Sequence, residues 1–142
     1  MKDINNILDY NVWSATDYSN DITGFHKGAG INLHSTNTNS TVGEHSLKLT
    51  NKGSSAYRLR IYFPASKDDT VTISFDFLNQ SSNFVVLYNG STQLVSIYPS
   101  EVTNWHNVAL SAKIISDDDV FLQINCNTDQ DCLVDNFNCI IN

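Results

Sequence analysis

The feature that most constrains the fold of this chain is the alternation of apolar and polar residues within short runs. In residues 57–63 the odd positions form one apolar face, while Arg58, Arg60 and Tyr62 form a polar and aromatic face. Residues 71–77 alternate in the same way. A period of two is that of a β-strand with one buried face. We therefore expect a chain built from half-buried strands.

Further strand-like runs recur about every ten residues, and no segment shows the apolar periodicity of a helix. They are residues 46–50, 84–88, 94–98, 105–115, 120–125 and 133–141, with weaker candidates at 7–10 and 31–34. Asn89-Gly90 separates two of these runs, and Asn-Gly between β-rich runs predicts a hairpin. About eight or nine strands predict an all-β fold, a jelly-roll β-sandwich of two antiparallel sheets. We expect residues 1–142 to form a single domain.

The charge balance excludes several classes of partner. The chain has 15 acidic and 8 basic residues, a net charge of -7, which repels phosphate groups and disfavours nucleic acid and anionic membranes. No apolar run approaches the roughly 20 residues of a membrane-spanning helix, so no membrane insertion is expected. The first six residues lack the apolar core of a signal peptide. The protein is then either cytosolic or a module of a longer secreted protein, and we favour the second interpretation.

The polar residues are mostly uncharged. The chain contains 18 Asn, 16 Ser and 11 Thr, which favour turns and strands over helix interiors. A surface of this kind suits neutral ligands that form hydrogen bonds. The alternative is codon bias in an AT-rich genome, which would enrich Asn without any functional reason.

Five short motifs occur in an order that resembles a known family. They are Asn-Asn-Ile-Leu-Asp at 5–9 with Trp13, Gly-Glu-His-Ser-Leu-Lys-Leu at 43–49, Asp-Thr-Val-Thr-Ile-Ser-Phe at 69–75, Trp-His-Asn-Val at 105–108 and Cys-Leu-Val-Asp-Asn-Phe at 132–137. Together they resemble the carbohydrate-binding modules with a galactose-binding-like jelly roll, similar to families 4, 9 and 22. The chain departs from that pattern where Asp9 replaces a Glu and Leu8 replaces a Phe.

The resemblance implies a non-catalytic carbohydrate-binding module, part of a larger extracellular or cell-surface protein, whose ligand is an oligosaccharide or polysaccharide. It also implies a structural calcium ion. Its ligands would be Asp9, an oxygen near Glu44, and Asp135. Two acids from the two ends of the chain would repel each other without a cation. The alternative is that Asp9 is a turn residue and that backbone N–H groups hold Asp135.

Sugar recognition requires aromatic rings for apolar C–H faces, and amides, Arg or carboxylates for hydroxyl groups. The candidate ligand-binding residues are Trp13, Asn32, Tyr57, Arg58, Arg60, Tyr62, Tyr88 and Gln93. Packing in the core or at its rim is the alternative for each aromatic residue. For Tyr57, which lies on the apolar face of its run, core packing is the favoured role.

No catalytic motif is present in the sequence. The four histidines form neither HxxH nor HExxH, and there is no Gly-x-Ser-x-Gly or P-loop motif. We therefore expect no enzyme. A structural or protein-interaction domain, such as a receptor-binding domain of an adhesin or phage tail protein, is the alternative function. An exposed aromatic pair on one face would favour sugar, and a flat apolar patch would favour a protein partner.

Two local features have open interpretations. Cys126 and Cys132 flank a short loop and could form a disulfide, or all three cysteines, including Cys139, could be reduced. The run Asp117-Asp118-Asp119 is expected to be a solvated turn between strands, with a loose calcium contact as the alternative.

Overall fold

The computed structural model describes residues 2–5, 25–27, 31–36, 41, 46–51, 57–79, 83–98, 104–126 and 131–142. The secondary structure of these residues is entirely β. The strands are β1 Lys2–Asn5, β2 Phe25–Lys27, β3 Ile31–Thr36, β4 Ser46–Asn51, β5 Tyr57–Phe63, β6 Thr70–Asn79, β7 Phe84–Asn89, β8 Thr92–Ile97, β9 His106–Lys113, β10 Val120–Cys126 and β11 Asp131–Ile141. No helix that could span a membrane occurs among them.

The strands form two antiparallel sheets. One sheet has the order β3-β4-β11-β6-β9, with β1 paired to the C-terminal half of β11. The other has the order β2-β5-β10-β7-β8. The predicted β-sandwich is confirmed. The described residues contain eleven strands where about eight or nine were expected. The short β1 and β2 lie in the N-terminal region, where the sequence has no clear period.

The predicted hairpin is also confirmed. Asn89 pairs with Thr92 across Gly90 and Ser91, which joins β7 to β8. Gly90 has a φ of 59°, a left-handed conformation that glycine adopts without steric cost. The strand expected at residues 7–10 lies outside the described residues.

The core lies between the two sheets and is formed by the apolar faces of the alternating strands. Leu59 and Ile61 of β5 are buried there, whereas Arg60 is only half-buried. The Phe137 ring stacks on Phe63 and Phe75 with centroid distances of 6.2 and 5.8 Å. Burying each of these rings contributes about 1.5–3 kcal/mol. The core therefore uses one face of each strand, and the other face of each sheet is left for contacts outside the core.

Cys132 and Cys139 are both buried members of this core. The side chain of Cys126 lies outside the described residues. A disulfide between Cys126 and Cys132 therefore stays a prediction.

Candidate ligand-binding groove

Three aromatic rings pack against one another on the outer face of the five-stranded sheet. Phe121 of β10 is the cross-strand partner of Tyr62 in β5 and of Tyr88 in β7. Its ring centroid lies 5.1 Å from that of Tyr62 and 5.0 Å from that of Tyr88. Directly opposed residues on neighbouring strands share a face, so the register places all three rings together. We call Tyr62, Phe121 and Tyr88 the aromatic row.

The aromatic row forms the floor of an open groove of about 840 Å³. The groove is also lined by Arg60, Gly90, Ser91 and the three aspartates of residues 117–119, here called the acidic loop. Arg60 pairs with Gln123, which follows Phe121 on the same face of β10, while the acidic loop directly precedes β10. The groove therefore has a cation at one end, a row of rings in the middle and carboxylates at the other end.

Two contacts hold the Arg60 side chain. Its Cζ atom lies 4.6 Å from the centroid of the Phe121 ring, which is a cation–π contact. Its Nε–H donates a hydrogen bond of 3.0 Å to Oε1 of Gln123. Gln123 is only 4% exposed and donates in turn to Oδ1 of Asn125 at 3.2 Å. The guanidinium group is therefore fixed by a buried amide below it and by an aromatic ring beside it.

Asn89 positions the segment that carries the acidic loop. The side chain is 2% exposed, and its Oδ1 atom accepts the backbone N–H groups of Ile115 and Ser116, both at 2.9 Å. Its Nδ2 atom donates to the carbonyl oxygens of Ser116 at 3.4 Å and Asp118 at 3.2 Å. A buried side chain thus replaces the strand pairing that this segment lacks, because it satisfies backbone donors and acceptors directly.

The turn between β7 and β8 also contacts the acidic loop directly. The backbone N–H of Gly90 donates to the carbonyl oxygen of Asp119 at 2.7 Å. A Cβ atom at position 90 would lie 3.0 Å from the Cβ atom of Asp118, closer than side chains normally approach. Glycine is therefore required here both by its backbone conformation and by the close packing of the loop.

The structure brings several of the predicted ligand-binding residues together. Arg60, Tyr62 and Tyr88 line the groove. Gln93 lies next to it, because its Nε2 atom donates to the Tyr88 hydroxyl at 3.2 Å. The Gln93 side chain also accepts a hydrogen bond from Ser96 at 3.2 Å, which fixes the orientation of the amide.

Of the remaining candidates, one lies on the other sheet and three have side chains outside the described residues. Arg58 and Tyr57 lie in β5, where they pair with Asn125 and Cys126, but their side chains are outside the described residues. Asn32 lies in β3, which belongs to the six-stranded sheet, so it is on a different sheet from the groove. Trp13 lies outside the described residues.

Sequence reasoning missed two parts of the groove. Phe121 was predicted to lie in a strand, but no functional role was predicted for it. It lies on the same face of β10 as the polar residues Gln123 and Asn125, because all three occupy odd-numbered positions. That mixture is the signal that this face of β10 is not a core face. The acidic loop is an exposed turn, as expected, and it also lines the groove.

A second cluster lies on the outer face of the six-stranded sheet. Asp135 of β11 is completely buried and is the cross-strand partner of Asp76. The Asp135 carboxylate accepts the backbone N–H of Thr41 at 2.6 Å and that of Asn136 at 2.8 Å. The Thr41 hydroxyl lies 2.8 Å from Oδ2 of Asp76 and 3.1 Å from Oδ2 of Asp135. Backbone N–H groups therefore hold the Asp135 carboxylate.

The other two calcium candidates, Asp9 and Glu44, lie outside the described residues. Within the described part, no three His, Cys, Asp or Glu residues are grouped closely enough to hold a metal ion. Thr41 precedes Glu44 by a short stretch, and β1 ends at Asn5, which pairs with Asn138.

No family model and no curated protein matches this chain. Solved structures do resemble it. The CBM22-1 xylan-binding domain from Paenibacillus barcinonensis Xyn10C superimposes with a TM-score of 0.64 at 14% identity, over 83% of this chain and 85% of that one. A family 35 carbohydrate binding module from Clostridium thermocellum does so with a TM-score of 0.61 at 12% identity, over 99% and 98%. This is the fold of carbohydrate-binding modules.

The same fold occurs within a phage protein. Tailspike protein 4 of bacteriophage CBA120, in its enzymatically active domain, matches with a TM-score of 0.69 at 10% identity, over 96% of this chain. The match covers only 22% of the tailspike chain. At such low identities the likeness shows the fold alone, and function has to be argued from the groove.

Proposed function

We propose that the domain is a non-catalytic carbohydrate-binding module whose ligand lies over the aromatic row. The observation that supports this most directly is the cluster of three rings under an open groove, in which Tyr62 and Tyr88 are half-buried and the Phe121 ring, 6% exposed, lies packed between them. Sugar rings have apolar C–H faces that stack on aromatic rings, and their hydroxyls need fixed hydrogen-bonding groups. Arg60, Gln93 and the acidic loop supply such groups around the rings.

The ligand is proposed to be an oligosaccharide or polysaccharide rather than a single sugar. A second aromatic pair, Phe84 and Tyr98, stacks with a centroid distance of 5.4 Å. Phe84 and Tyr88 are both in β7 and share a face, separated by roughly 13 Å along the strand at 3.3 Å per residue. Tyr98 is 72% exposed. A chain of several sugar residues would contact the aromatic row and Tyr98 together.

The arrangement of carboxylates supports binding rather than hydrolysis. Glycosidases generally place two carboxyl groups on either side of the scissile bond. All the described carboxylates that line the groove belong to the acidic loop, on one side of it. We therefore propose a domain without catalytic activity that keeps a parent protein on a glycan. The likeness to modules of larger proteins supports a place in a multidomain, extracellular or cell-surface protein.

A structural calcium ion near Asp135 is a further part of the proposal. Asp76 and Asp135 are cross-strand partners, and the single hydroxyl proton of Thr41 can neutralise neither of them. A divalent cation would relieve this repulsion, and carboxylate and hydroxyl oxygens are ligands that calcium accepts. Asp76, Asp135 and Thr41 would hold it together with Asp9 and Glu44. Such an ion would tie loop residue 41 to β11, on the sheet opposite the groove.

A protein-interaction or receptor-binding domain is the second candidate, supported by the likeness to the phage tailspike. The described residues argue against a flat apolar docking face. Their large exposed apolar side chains, Tyr98, Ile115 and Ile140, belong to different elements. Isolated residues of this kind are common on soluble proteins.

The test is binding of the purified domain to a glycan panel that includes xylohexaose, with a Tyr88→Ala variant and Tyr88→Phe as its matched control. Loss of the ring removes a stacking contact, so we expect binding to weaken about five- to tenfold in Tyr88→Ala. Tyr88→Phe keeps the ring and should stay within about threefold. If no glycan binds, or if Tyr88→Ala binds as tightly as the native domain, the proposed site is wrong.

A further inference from the structure

We propose that Arg60 makes the groove selective for glycans that carry an isolated carboxylate, such as a uronic acid substituent on an otherwise neutral chain. This inference rests on the proposed function, because it names the kind of glycan that the same groove takes. Arg60 is the one basic residue among the described residues that line the groove. Three features of its surroundings support the assignment.

The first feature is the preorganisation of the guanidinium group. One edge is held through Nε by Gln123, and one face lies against the ring of Phe121. The hydrogen bond to Gln123 uses only Nε, so the two terminal nitrogens form no hydrogen bond with the described residues. A planar guanidinium with two parallel N–H groups matches a carboxylate in a bidentate arrangement. Because the side chain is already fixed, little conformational entropy would be lost when a carboxylate binds.

The second feature is the absence of an acidic partner. The chain has 15 acidic residues and 8 basic ones, so carboxylates are available in excess. Even so, Arg60 donates to the neutral amide of Gln123, and it forms no ion pair with any carboxylate in the described part of the chain. A half-buried guanidinium has lost part of its hydration. An anionic ligand would therefore replace water at a site that the protein itself has not neutralised.

The third feature is the position of the acidic loop. Asp119 precedes Gln123, the partner of Arg60, by roughly 13 Å of extended strand. This backbone separation exceeds the Debye length of about 8 Å at physiological ionic strength, so screening weakens the repulsion that the loop exerts on an anion at Arg60. It does repel a second anion at the opposite end of the groove. The position of the loop is fixed, because Asn89 and Gly90 hold it through hydrogen bonds.

These features select against polyanionic chains as well as for a single charge. A ligand with one carboxylate can place it at Arg60 and present neutral sugars to the acidic loop. A chain charged at every residue must bring a carboxylate close to Asp117, Asp118 or Asp119. The groove therefore favours an isolated charge and orients the chain so that this charge lies at the Arg60 end.

The test compares three probes by calorimetry at physiological and high salt: xylohexaose, xylohexaose bearing one glucuronic acid branch, and hexagalacturonate. We expect the singly charged probe to bind at least about fivefold tighter than xylohexaose at physiological ionic strength, with a smaller ratio at high salt. Hexagalacturonate should bind more weakly than the singly charged probe. Asp119→Asn should improve its binding.

Substitutions locate the effect at Arg60. In Arg60→Gln the ratio between the singly charged and neutral probes should fall to about one, whereas in the matched control Lys113→Gln, a cation outside the groove, it should persist. Thermal melting of each variant confirms that it is folded. Equal binding of the charged and neutral probes by the native domain would overturn this inference alone. A preference for the charged probe that persists in Arg60→Gln would also overturn this inference alone. Failure of all three probes to bind would overturn this inference, whereas binding of another glycan of the panel that Tyr88→Ala weakens would leave the proposed function standing.

Discussion

Removal of the Asn89 side chain tests how the acidic loop is held at the groove. Asn89→Ala deletes one acceptor that serves the N–H groups of Ile115 and Ser116, and one donor that serves the carbonyls of Ser116 and Asp118. The side chain is buried at the junction of β7 with this segment, so water replaces these contacts only in part. The loop loses its main attachment, and the stability of the domain falls with it.

The expected loss can be worked out from the groups left without partners. A buried donor or acceptor left unsatisfied costs about 1–3 kcal/mol. The backbone N–H groups of Ile115 and Ser116 form the shorter hydrogen bonds to Asn89, both at 2.9 Å, so their loss accounts for most of the cost. We therefore expect Asn89→Ala to lower the free energy of unfolding by about 2–4 kcal/mol. For a domain of this size that corresponds to a fall in Tm of roughly 6–15 °C.

The assay is chemical denaturation and calorimetric melting of the purified domain. Asn104→Ala is the matched control, because Asn104 is exposed and should change stability by no more than about 0.5 kcal/mol. Asn89→Asp keeps the shape and the acceptor but places an oxygen opposite two carbonyls, so it should lose about as much stability as Asn89→Ala. A loss below about 0.5 kcal/mol in Asn89→Ala would refute the view that this side chain holds the loop.

Three other changes test the turn, the extended ligand face and the calcium proposal. Gly90→Ala should lower the free energy of unfolding by about 1–2 kcal/mol, because φ at this position is positive and the new Cβ atom would contact Asp118. Chemical denaturation measures this loss, and an unchanged denaturation midpoint would contradict it. Tyr98→Ala should weaken the affinity for a six-residue glycan by about threefold or more, measured by titration calorimetry, and should leave the affinity for a two-residue glycan unchanged. An equal effect on both affinities would argue against an extended ligand chain. Calcium should raise the Tm of the native domain and a chelator should lower it, whereas Asp135→Asn should lose this response. A native Tm that calcium does not change would remove the metal from the proposal.

The sequence predicted the local features of this protein well. The alternation in β5 showed which side of that strand faces the core, and the Asn-Gly pair marked the β7–β8 hairpin. It also singled out Arg60 and Tyr62 as an outward-facing pair. These predictions succeeded because the direction of a side chain from a strand, and the conformation of a tight turn, depend on a few adjacent residues.

The site itself depends on which strands become neighbours. Phe121 joins Tyr62 and Tyr88 only because β10 inserts between β5 and β7, although β5 and β10 are far apart in the chain. The same nonlocal pairing assigns Asn32 to the other sheet. A period-two pattern gives each strand two faces but carries no information about its neighbours, because strand order follows from how apolar faces from the whole chain pack together. The sequence thus predicts most of the strands and which of their faces point to the core, but not the short β1 and β2. The tertiary structure alone decided that three rings, one cation and an acidic loop meet in a single groove.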